Sequence, residues 1–487
     1  MSDTVTAMAI DVERLAASLP TGLVTEVVGG AAIVHDLTHD SRQVEPGWAF
    51  ACVVGAHVDG HRFAPDAVAA GACLLLVERR LPLEVDQIVV TDVRRAMGHA
   101  AAAVHGHPAS RLRMIGITGT NGKTTTTHLL GAILRGAGLE SRELGTLSGV
   151  RTTPEAPDLQ RRLAGFVTDG VEAVVMEVSS HALALHRTAG SHFDVAVFTN
   201  LGRDHLDLHE SMEAYFRAKA SLFRAELSDR GVTNADDPYG RLLIDAGEIP
   251  MVTYGVDHAT DVVVRVDRHE FTWRGHRVVV PIGGAFNLMN SLAALTTAAE
   301  AGVDEATAVA ALATCPPVPG RFESVTGPDD AVAVVVDYAH TPDGLVALLA
   351  AARAVADDGR VIVVFGCGGD RDADKRPLMG AAAAAHADLV VVTSDNPRHE
   401  DPQAIVDAAV SGVEPRYRDG VLIEIDRRRA ISEAIGTARP GDVVVIAGKG
   451  HETTQTIGDD VVPFDDRVVA REVLAELDDR DGTGAPP

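Results

Sequence analysis

The chain has 487 residues, of which 46% are hydrophobic and 23% charged, and its formal net charge is −26. This length predicts about three or four domains, the apolar fraction excludes wholesale disorder, and the acidic balance argues against a dedicated binder of nucleic acid or anionic membranes. Four cysteines without CxxC spacing suggest neither a disulfide framework nor a zinc site, and without a secretory pattern or a long apolar run we expect a reduced, cytoplasmic protein.

Lysine is rare in this chain. It occurs only as Lys123, Lys219, Lys375 and Lys449, and all other residues counted as Lys or Arg are arginine. A compact ammonium, or a neutral amine, does what a planar guanidinium cannot. We therefore interpret the four lysines as candidates for special sites.

The order of apolar runs predicts an α/β fold. Short runs at 48–54, 73–77 and 87–90 indicate a small N-terminal α/β domain. From residue 111 onwards, apolar strands alternate with helical patterns, which predicts parallel sheets buried on both faces. A proline-rich break at 315–320 separates two such series. We predict domains at 1–110, 111–318 and 319–487, with strands at 114–118, 173–178, 195–200, 331–337, 361–365, 389–393 and 443–447.

A glycine-containing loop, GTNGKTT at 119–125, lies between the first central strand and a helical pattern. Glycines let consecutive backbone N–H groups surround phosphate oxygens, and the helix N-terminus adds partial positive charge. Ile117 replaces the first glycine of the strict Walker pattern, so the loop is a tighter variant. We predict a nucleotide-phosphate site with a Thr124 hydroxyl for Mg²⁺, formed by Gly119, Thr120, Asn121, Gly122, Lys123, Thr124 and Thr125.

Carboxylates and histidines follow the next two predicted strands. Glu177 ends one strand, at the position where a carboxylate usually holds Mg²⁺ near a phosphate loop. The segment after the other strand brings four side chains close together in sequence, and we expect this group to reach a metal or to orient a phosphate: Asp204, His205, Asp207 and His209.

A lysine stands on an apolar helix face. The pattern at 211–227 predicts a helix whose apolar stripe includes Phe216 and Leu222, and Lys219 falls on that stripe. Burial disfavours a charged ammonium, so a buried amine is more easily neutral and able to capture carbon dioxide as a carbamate. The residues alone favour a lysine whose head reaches solvent.

Several segments together resemble, in order and spacing, the Mur ligases, the ATP-dependent amide ligases of peptidoglycan-precursor synthesis. They are the loop at 119–125, EVSSH at 177–181, the segment 200–209, YFRAK at 215–219, FNLMN at 286–290, PGRFE at 319–323 and DYAH at 337–340. The resemblance covers nearly the whole chain. It implies a three-domain architecture with a central P-loop-type parallel sheet and a C-terminal Rossmann-like domain, and a role in cell-wall biogenesis.

Within that family, the chain looks most like the members that add the third peptide residue to UDP-N-acetylmuramoyl-L-alanyl-D-glutamate. This assignment depends on RTTPEAP at 151–157, SSHALALHR at 179–187, GCGGDR at 366–371 and GKGHE at 448–452. DNPR at 395–398 is the family's mark of meso-diaminopimelate as the incoming amino acid.

The chemistry of the last motifs fits a diamino dicarboxylic acid. Arg398, with Asp395 and Asn396, offers bidentate recognition of a carboxylate beside an acceptor for an ammonium. Arg371 can hold a second carboxylate and Glu452 the distal ammonium. L-lysine lacks the distal carboxylate and would leave an arginine unpaired.

The resemblance also implies roles for individual residues. It makes Lys123, Lys219 and His205 catalytic, and it assigns Mg²⁺ to Thr124, Glu177, His205 and Lys219, the last as a carbamate. Besides the loop at 119–125, ATP would contact Asn287, Asn290, Arg321 and Asp337. The UDP-linked dipeptide would contact Ser41, Thr152, Thr153, Ser179 and Arg187. Diaminopimelate would contact Arg371, Asp395, Asn396, Pro397, Arg398, Gly448 and Glu452. The expected partners are these small molecules, with no nucleic acid and no membrane. The protein is expected to be a monomer.

Four other readings stay open. A lysine-adding ligase of the same family shares most of the motifs, and a ligase like folylpolyglutamate synthase shares the ATP loop and the lysine helix. GCGG at 366–369 permits a nicotinamide-dependent dehydrogenase, but it lacks the full dinucleotide spacing. A regulatory nucleotide-binding module would leave Lys219 unexplained.

Overall fold

The computed structural model describes residues 9–149, 151–202, 209, 211–327 and 330–482, with the backbone alone at 478–482. The chain forms two compact units. The first contains most residues up to 254 together with Ala293–Ala308, and the second contains mainly Gly255–Leu292 and Val309–Pro487. Among the described residues, no helix combines the length and the apolar character needed to cross a membrane.

The helices of the described residues follow the chain in this order: α1 (Val12–Ala17), α2 (Ala64–Ala69), α3 (Val93–Val104), α4 (Lys123–Gly136), α5 (Ala156–Thr168), α6 (Ser180–Ala184), α7 (Met212–Ala220), α8 (Pro238–Ala246), α9 (Phe286–Glu300), α10 (Glu305–Leu312), α11 (Pro342–Arg353), α12 (Lys375–His386), α13 (Pro402–Ser411), α14 (Arg427–Thr437) and α15 (Asp466–Gly482).

The strands are β1 (Ile10–Asp11), β2 (Val24–Val28), β3 (Ile33–Val34), β4 (Asp36–Thr38), β5 (Trp48–Ala51), β6 (Leu74–Val77), β7 (Asp86–Val90), β8 (Arg113–Thr118), β9 (Ser141–Leu144), β10 (Ala173–Glu177), β11 (Phe193–Phe198), β12 (Ser228–Asn234), β13 (Met251–Tyr254), β14 (Thr260–Val264), β15 (His269–Trp273), β16 (His276–Val280), β17 (Glu323–Ser324), β18 (Ala333–Asp337), β19 (Val361–Phe365), β20 (Leu389–Val392), β21 (Val421–Ile423), β22 (Val443–Ala447), β23 (Thr454–Ile457) and β24 (Asp460–Pro463).

The first unit contains two large sheets and the short antiparallel pair β1–β3. The N-terminal sheet has the order β2-β7-β6-β5-β4 and is parallel except for the β2–β7 pair. The central sheet has the order β13-β12-β11-β8-β10-β9 and is parallel throughout. Strand β10 is buried along its whole length, as expected for a parallel strand covered on both faces. Because β8 lies between β10 and β11, the segments that follow these three strands meet at one edge.

The second unit is built on a sheet of order β17-β18-β22-β19-β20-β21, in which only the edge pair β17–β18 is antiparallel. Strands β19 and β22 match their predicted bounds. The adjacent strands β22, β19 and β20 end just before the motifs at 448–452, 366–371 and 395–398. Ligands of open parallel sheets bind at this edge, so the topology brings the three motifs together.

Two predicted elements differ from the structure. The helix predicted over 211–227 ends at Ala220 and continues as a 3₁₀ turn, Ser221–Phe223, because Arg224 is extended before β12 begins. The tail predicted to fray after residue 475 is helical to Gly482. Arg428 holds this part of α15 through ion pairs with Glu472 and Glu476.

A fully buried ion pair anchors α15 in the second unit. Arg427 donates two hydrogen bonds of 2.7 Å to the Asp466 carboxylate, and a further bond of 2.9 Å to the carbonyl of Ala447. We expect Arg427→Met to lower the free energy of unfolding of this unit by about 3–5 kcal/mol, because Asp466 is left buried and uncompensated. Chemical denaturation followed by circular dichroism measures the loss.

Arg428 supplies the matched control, since it lies next to Arg427 on the same helix but pairs at the surface. Arg428→Met should cost no more than about 1 kcal/mol. Equal losses for the two variants would contradict the role given to the buried pair.

Candidate active site

The loop after β8 is held against the end of β11. The N–H of Thr120 donates to the carbonyl of Asn200 at 2.8 Å, and the N–H of Asn121 donates to the Asn200 side chain at 2.9 Å. Gly119 has φ +151°, and a Cβ there would lie 1.8 Å from the Thr199 hydroxyl oxygen. Only glycine allows this close approach, so the predicted strand, loop and helix are present.

Two lysines converge on this loop. Lys123, the first residue of α4, donates from Nζ to the carbonyls of Gly119 at 2.9 Å and Thr120 at 2.8 Å. Lys219 lies in α7 and donates from Nζ to the same Gly119 carbonyl at 2.7 Å. The Lys219 side chain is buried, at 1% exposure, and its Nζ lies 4.6 Å from the centre of the Tyr215 ring. The lysine therefore reaches the phosphate loop and does not extend to solvent.

Glu177 joins the other side of the loop. The Thr124 hydroxyl donates to the two carboxylate oxygens of Glu177 at 3.0 and 3.1 Å. Thr146 donates from its backbone N–H at 2.8 Å and from its hydroxyl at 3.3 Å to the same carboxylate. Both Thr124 and Glu177 are buried. The result is a cluster of hard oxygen atoms beside the loop.

The end of β10, at Glu177, also contacts residues predicted to bind the UDP-linked dipeptide. The Thr153 hydroxyl donates to the carbonyl of Glu177 at 2.9 Å and accepts from the N–H of Ser179 at 3.1 Å. Thr152 lies 3.3 Å from the Thr146 hydroxyl. Glu177 thus contacts the phosphate loop through its side chain and the neighbouring polar cluster through its backbone.

Arg187 completes that cluster through an acidic partner. Its guanidinium lies 2.8 Å from a carboxylate oxygen of Glu155 and donates to the carbonyl of Thr153 at 3.3 Å. Arg151 pairs with the same oxygen of Glu155. Burial lowers the pKa of Arg187, an effect that Glu155 opposes. The second oxygen of Glu155 is buried without a hydrogen-bond partner in the described part of the chain.

In the second unit, the four residues predicted to surround the nucleotide form two neighbouring pairs. Asn290 donates to the Asn287 side chain at 2.8 Å at the start of α9. The Asp337 carboxylate accepts the N–H of Phe322 at 2.7 Å, and burial raises the pKa of Asp337 while Arg321 opposes the shift. The ring of Phe322 contacts that of Phe286, 5.7 Å away between centres, and so connects the two pairs.

In the second unit, hydrogen bonds join the motifs that are predicted to bind the incoming amino acid. The N–H of Gly369 donates to the carbonyl of Asn396 at 2.9 Å, and Arg398 donates from Nη1 to the carbonyl of Gly369 at 2.7 Å. Arg398 has φ +50°, a left-handed conformation that costs energy in a non-glycine residue. Since the N–H of Arg398 bonds the carbonyl of Thr456 at 3.0 Å, strand β23 holds the backbone in this conformation.

A buried carboxylate lies at the centre of these motifs. Burial raises the pKa of Asp395, while the nearby charges of Arg427 and Lys449 oppose the shift. Gly448 has φ +113°, and a Cβ at this position would meet the Asp395 carboxylate at 2.7 Å. The glycine therefore leaves room for the acid. Glu452 and the exposed Arg371 belong to the same set of loops.

The remaining predicted residues have different outcomes. His205, with Asp204 and Asp207, lies outside the described residues. His209 packs against Tyr215, with 5.1 Å between ring centres, and lies 3.0 Å from the Ser180 hydroxyl. Ser41 begins a 3₁₀ turn in the N-terminal part of the first unit, after the capping residue Asp40.

Sequence reasoning missed two polar partners. Thr146 follows β9 in a stretch without a recognisable pattern, and only the fold brings it to Glu177. Glu155 stands inside the RTTPEAP motif, so the motif itself was the signal, but nothing local shows that its carboxylate faces Arg187 on a later segment.

Comparison with known proteins identifies this architecture. Three family models match successive parts of the chain: the Mur ligase family catalytic domain at 33–111, the Mur ligase middle domain at 117–298 and the Mur ligase glutamate ligase domain at 320–450. The chain belongs to the Mur ligase family. The resemblance seen in the sequence is therefore confirmed, as is the three-part α/β architecture.

Several relatives over almost the whole length are named UDP-N-acetylmuramoyl-L-alanyl-D-glutamate–2,6-diaminopimelate ligase. The protein of that name from Geobacillus thermodenitrificans is 46% identical over 477 residues, which cover 92% of this chain and 96% of the relative. The one from Gloeobacter violaceus is 47% identical over 466 residues, with 91% and 94% covered.

Solved structures agree. A structure of a UDP-N-acetylmuramoyl-L-alanyl-D-glutamate–2,6-diaminopimelate ligase superimposes with a TM-score of 0.69 at 32% identity, covering 97% of this chain and all of that one. Folylpolyglutamate synthase from Mycobacterium tuberculosis, complexed with ADP and AMPPCP, has a TM-score of 0.57 at 19% identity, covering 81% and 95%. The second likeness shows a common fold alone.

Proposed function

We propose that this chain is the ATP-dependent ligase that joins meso-2,6-diaminopimelate to the D-glutamyl γ-carboxylate of UDP-N-acetylmuramoyl-L-alanyl-D-glutamate, in peptidoglycan-precursor synthesis. One observation carries the chemistry: Glu177 contacts Thr124 of the phosphate loop through its carboxylate and Thr153 through its carbonyl. A phosphoryl donor and a carboxylate acceptor bound to these two clusters would lie next to each other. The names of the near full-length relatives supply the substrates.

The oxygen cluster beside the loop suits Mg²⁺. Thr124 and Glu177 offer a hydroxyl and a carboxylate, the hard donors that Mg²⁺ prefers, 3.0 Å apart. Within the described ranges no three His, Cys, Asp or Glu side chains cluster as a metal site. In nucleotide sites, phosphate oxygens and water usually complete the coordination of Mg²⁺. The bound ion would neutralise charge on the transferring phosphoryl group.

We infer that Lys219 acts as a carbamate. Its Nζ is buried and bonded to Gly119, and a carbamate nitrogen keeps one N–H for that bond. The added carboxylate would extend into the loop region as a further hard oxygen donor. The family resemblance also implies a catalytic and metal-binding role for His205.

The proposed reaction has two steps. In the first, the γ-carboxylate of the D-glutamyl residue attacks the γ-phosphorus of ATP, giving an acyl phosphate and ADP. Lys123 and the N–H groups of 119–125 stabilise charge on the phosphoryl oxygens, with ATP held further by Asn287, Asn290, Arg321 and Asp337. In the second, a neutral amine of diaminopimelate attacks the acyl carbon, phosphate leaves, and the amine loses its proton.

The DNPR motif accounts for the choice of amino acid. Arg398 and Arg371 would each hold a carboxylate, and Asp395 and Glu452 would accept from ammonium groups, in loops that also include Asn396, Pro397 and Gly448. L-lysine brings only one carboxylate, so one guanidinium would stay unpaired. This favours diaminopimelate over the lysine-adding alternative. A folylpolyglutamate-type reaction gives no role to these loops.

The functional parts proposed are the N-terminal segment 1–110 for the UDP moiety, with Ser41, residues 111–318 for ATP and the acceptor, and residues 319–487 for the amino acid. Thr152, Thr153, Ser179 and Arg187 would hold the acceptor peptide. Because the substrates are cytoplasmic metabolites, we propose a cytoplasmic enzyme; its monomeric state stays a prediction.

Glu155 provides a test of the polar cluster proposed to hold the acceptor peptide, which consists of Thr152, Thr153, Ser179 and Arg187. We expect Glu155→Gln to raise the KM for the UDP-linked dipeptide about tenfold, because Arg187 loses a charged hydrogen-bond partner, while the KM for ATP stays unchanged. Steady-state kinetics with each substrate varied in turn measures both values. The control is Asp158→Asn, a half-exposed acid in the first turn of α5, the helix that begins directly after Glu155, and it pairs with Arg161. An equal rise for both variants would remove Glu155 from the acceptor site.

The direct assay of function is phosphate release from ATP in the presence of the UDP-linked dipeptide and either diaminopimelate or L-lysine, with mass spectrometry of the product. The proposal predicts release and a tripeptide product with diaminopimelate. Faster release with L-lysine would assign the lysine-adding reaction, and a folded protein that makes no tripeptide with either would overturn the proposal.

A further inference from the structure

Lys449 is completely buried among the loops of the second unit that carry the motifs predicted to bind the incoming amino acid, at 366–371, 395–398 and 448–452. Its side chain has 0% exposure, and its Nζ lies 3.0 Å from Glu452 Oε2, 3.4 Å from Asn396 Oδ1 and 2.6 Å from the carbonyl oxygen of Thr454. An ammonium has three N–H donors, and three acceptors surround it. A planar guanidinium with five donors would not fit this arrangement, which explains a lysine at this position in a chain that otherwise uses arginine.

The three acceptors belong to three different segments. Glu452 is in the same turn as Lys449, Asn396 is in the DNPR motif after β20, and Thr454 begins β23. Asn396 is fixed in turn, because its Oδ1 also accepts the N–H of Thr456 at 2.9 Å, so its Nδ2 is directed to Glu452 Oε2 at 2.8 Å. The Thr456 N–H and Lys449 therefore both hold Asn396 Oδ1, and Lys449 and Asn396 both hold the Glu452 carboxylate.

Both contacts fall on one oxygen of Glu452. Oε2 receives Lys449 and Asn396, whereas Oε1 has no hydrogen-bond partner within the described residues. The Glu452 side chain is one-third exposed, at 34%. Its carboxylate is therefore held by hydrogen bonds to Oε2 on the buried side, while Oε1 remains accessible. A carboxylate held in this way presents one fixed oxygen to a ligand.

We propose that Lys449 is a positioning residue for the incoming amino acid: it orients Glu452 so that Oε1 accepts from the distal ammonium of the diamino acid. This inference depends on the proposed function and adds to it a residue that no ligand contact assigns. Lys449 itself does not touch the substrate, because its three donors are used inside the protein. Its effect is to reduce the conformational freedom that Glu452 would lose on binding.

The test replaces Lys449 with methionine, which keeps the length and burial of the side chain without its charge. We expect Lys449→Met to raise the KM for diaminopimelate about tenfold or more, with the KM for ATP and for the UDP-linked dipeptide unchanged. Lys449→Gln provides a second neutral variant if the methionine variant fails to fold, and thermal unfolding of each variant establishes that it is folded. A diaminopimelate KM equal to that of the wild type in a folded variant would overturn the inference.

A double-mutant cycle separates positioning from general support of the fold. If Lys449 acts through Glu452, the methionine substitution should add little to the loss already caused by Glu452→Gln. Full additivity of the two losses would overturn the proposal. The wild type also separates the two hypotheses: no tripeptide from the wild type refutes the proposed function, whereas a productive wild type with an unaffected Lys449→Met refutes only the role of Lys449.

A substrate analogue gives an independent readout. 2-Aminopimelate keeps both carboxylates but lacks the distal amino group, so Glu452 has no ammonium to accept from. We expect the ratio of wild-type to Lys449→Met kcat/KM to fall from about tenfold with diaminopimelate to near one with the analogue. The same ratio for both compounds would show that Lys449 supports the loops in a general way, and it would contradict the proposal.

Discussion

Lys219→Ala is expected to reduce turnover by about 10³-fold, an effect as large as the loss of a main electrostatic group in an active site. The lysine is buried at 1% exposure and its Nζ contacts the phosphate loop at Gly119. Removing it takes away both this contact and the carboxylate that a carbamate would supply near the phosphoryl group. The rate of phosphate release at saturating substrates measures the loss.

Short carboxylates should partly restore the alanine variant, because a free acetate or formate ion can occupy the space of the missing carbamate. Arg217→Ala is the matched control, since Arg217 lies on the same helix but is exposed and pairs only with Glu213 in the described part of the chain. We expect near wild-type activity for that control. Full activity of Lys219→Ala, or no response to added carboxylates in a folded variant, would contradict the carbamate role.

Arg398→Ala is expected to weaken the use of diaminopimelate about 100-fold while leaving ATP binding unchanged. A charge-assisted pair between guanidinium and carboxylate would be lost, together with the bond from Nη1 to the carbonyl of Gly369 that holds two loops together. The left-handed backbone at φ +50° adds strain to any non-glycine residue, so alanine does not relieve it. Kinetics with diaminopimelate and ATP varied in turn measures the two KM values.

Arg416→Ala is the control for this variant, because Arg416 is an exposed arginine of the same unit that pairs with Glu414. It should leave both KM values unchanged. Equal losses of diaminopimelate and ATP binding in Arg398→Ala would indicate a disturbed fold and would count against specific recognition.

The strands and the phosphate loop were predictable because their signals are local. Apolar runs such as 361–365 and 443–447 match β19 and β22, and the glycines at 119–125 require a particular backbone whatever surrounds them. The helix of Lys219 was predicted too long, since the period of apolar side chains continues through a 3₁₀ turn where the backbone no longer does.

The fate of Lys219 illustrates what a pattern leaves open. Its place on an apolar stripe is compatible with burial, but the sequence alone favours a head that reaches solvent. Whether Lys219 is buried depends on Gly119, 100 residues away in sequence, whose carbonyl accepts a hydrogen bond from the buried amine. Glu155 and Lys449 are similar cases, because the partners that give them a role come from distant segments.

The sequence by itself determined the family, the fold class and the strand, loop and helix around 119–125, because the motifs that indicate them are recognised from residues close together in the chain. Only the tertiary structure decided which groups meet: Glu177 with Thr124 and Thr146, Arg187 with Glu155, and Lys449 with Glu452 and Asn396. The physical reason is that hydrogen bonds and ion pairs act over a few ångströms in space, and the order of strands in each sheet sets which distant segments come within that range.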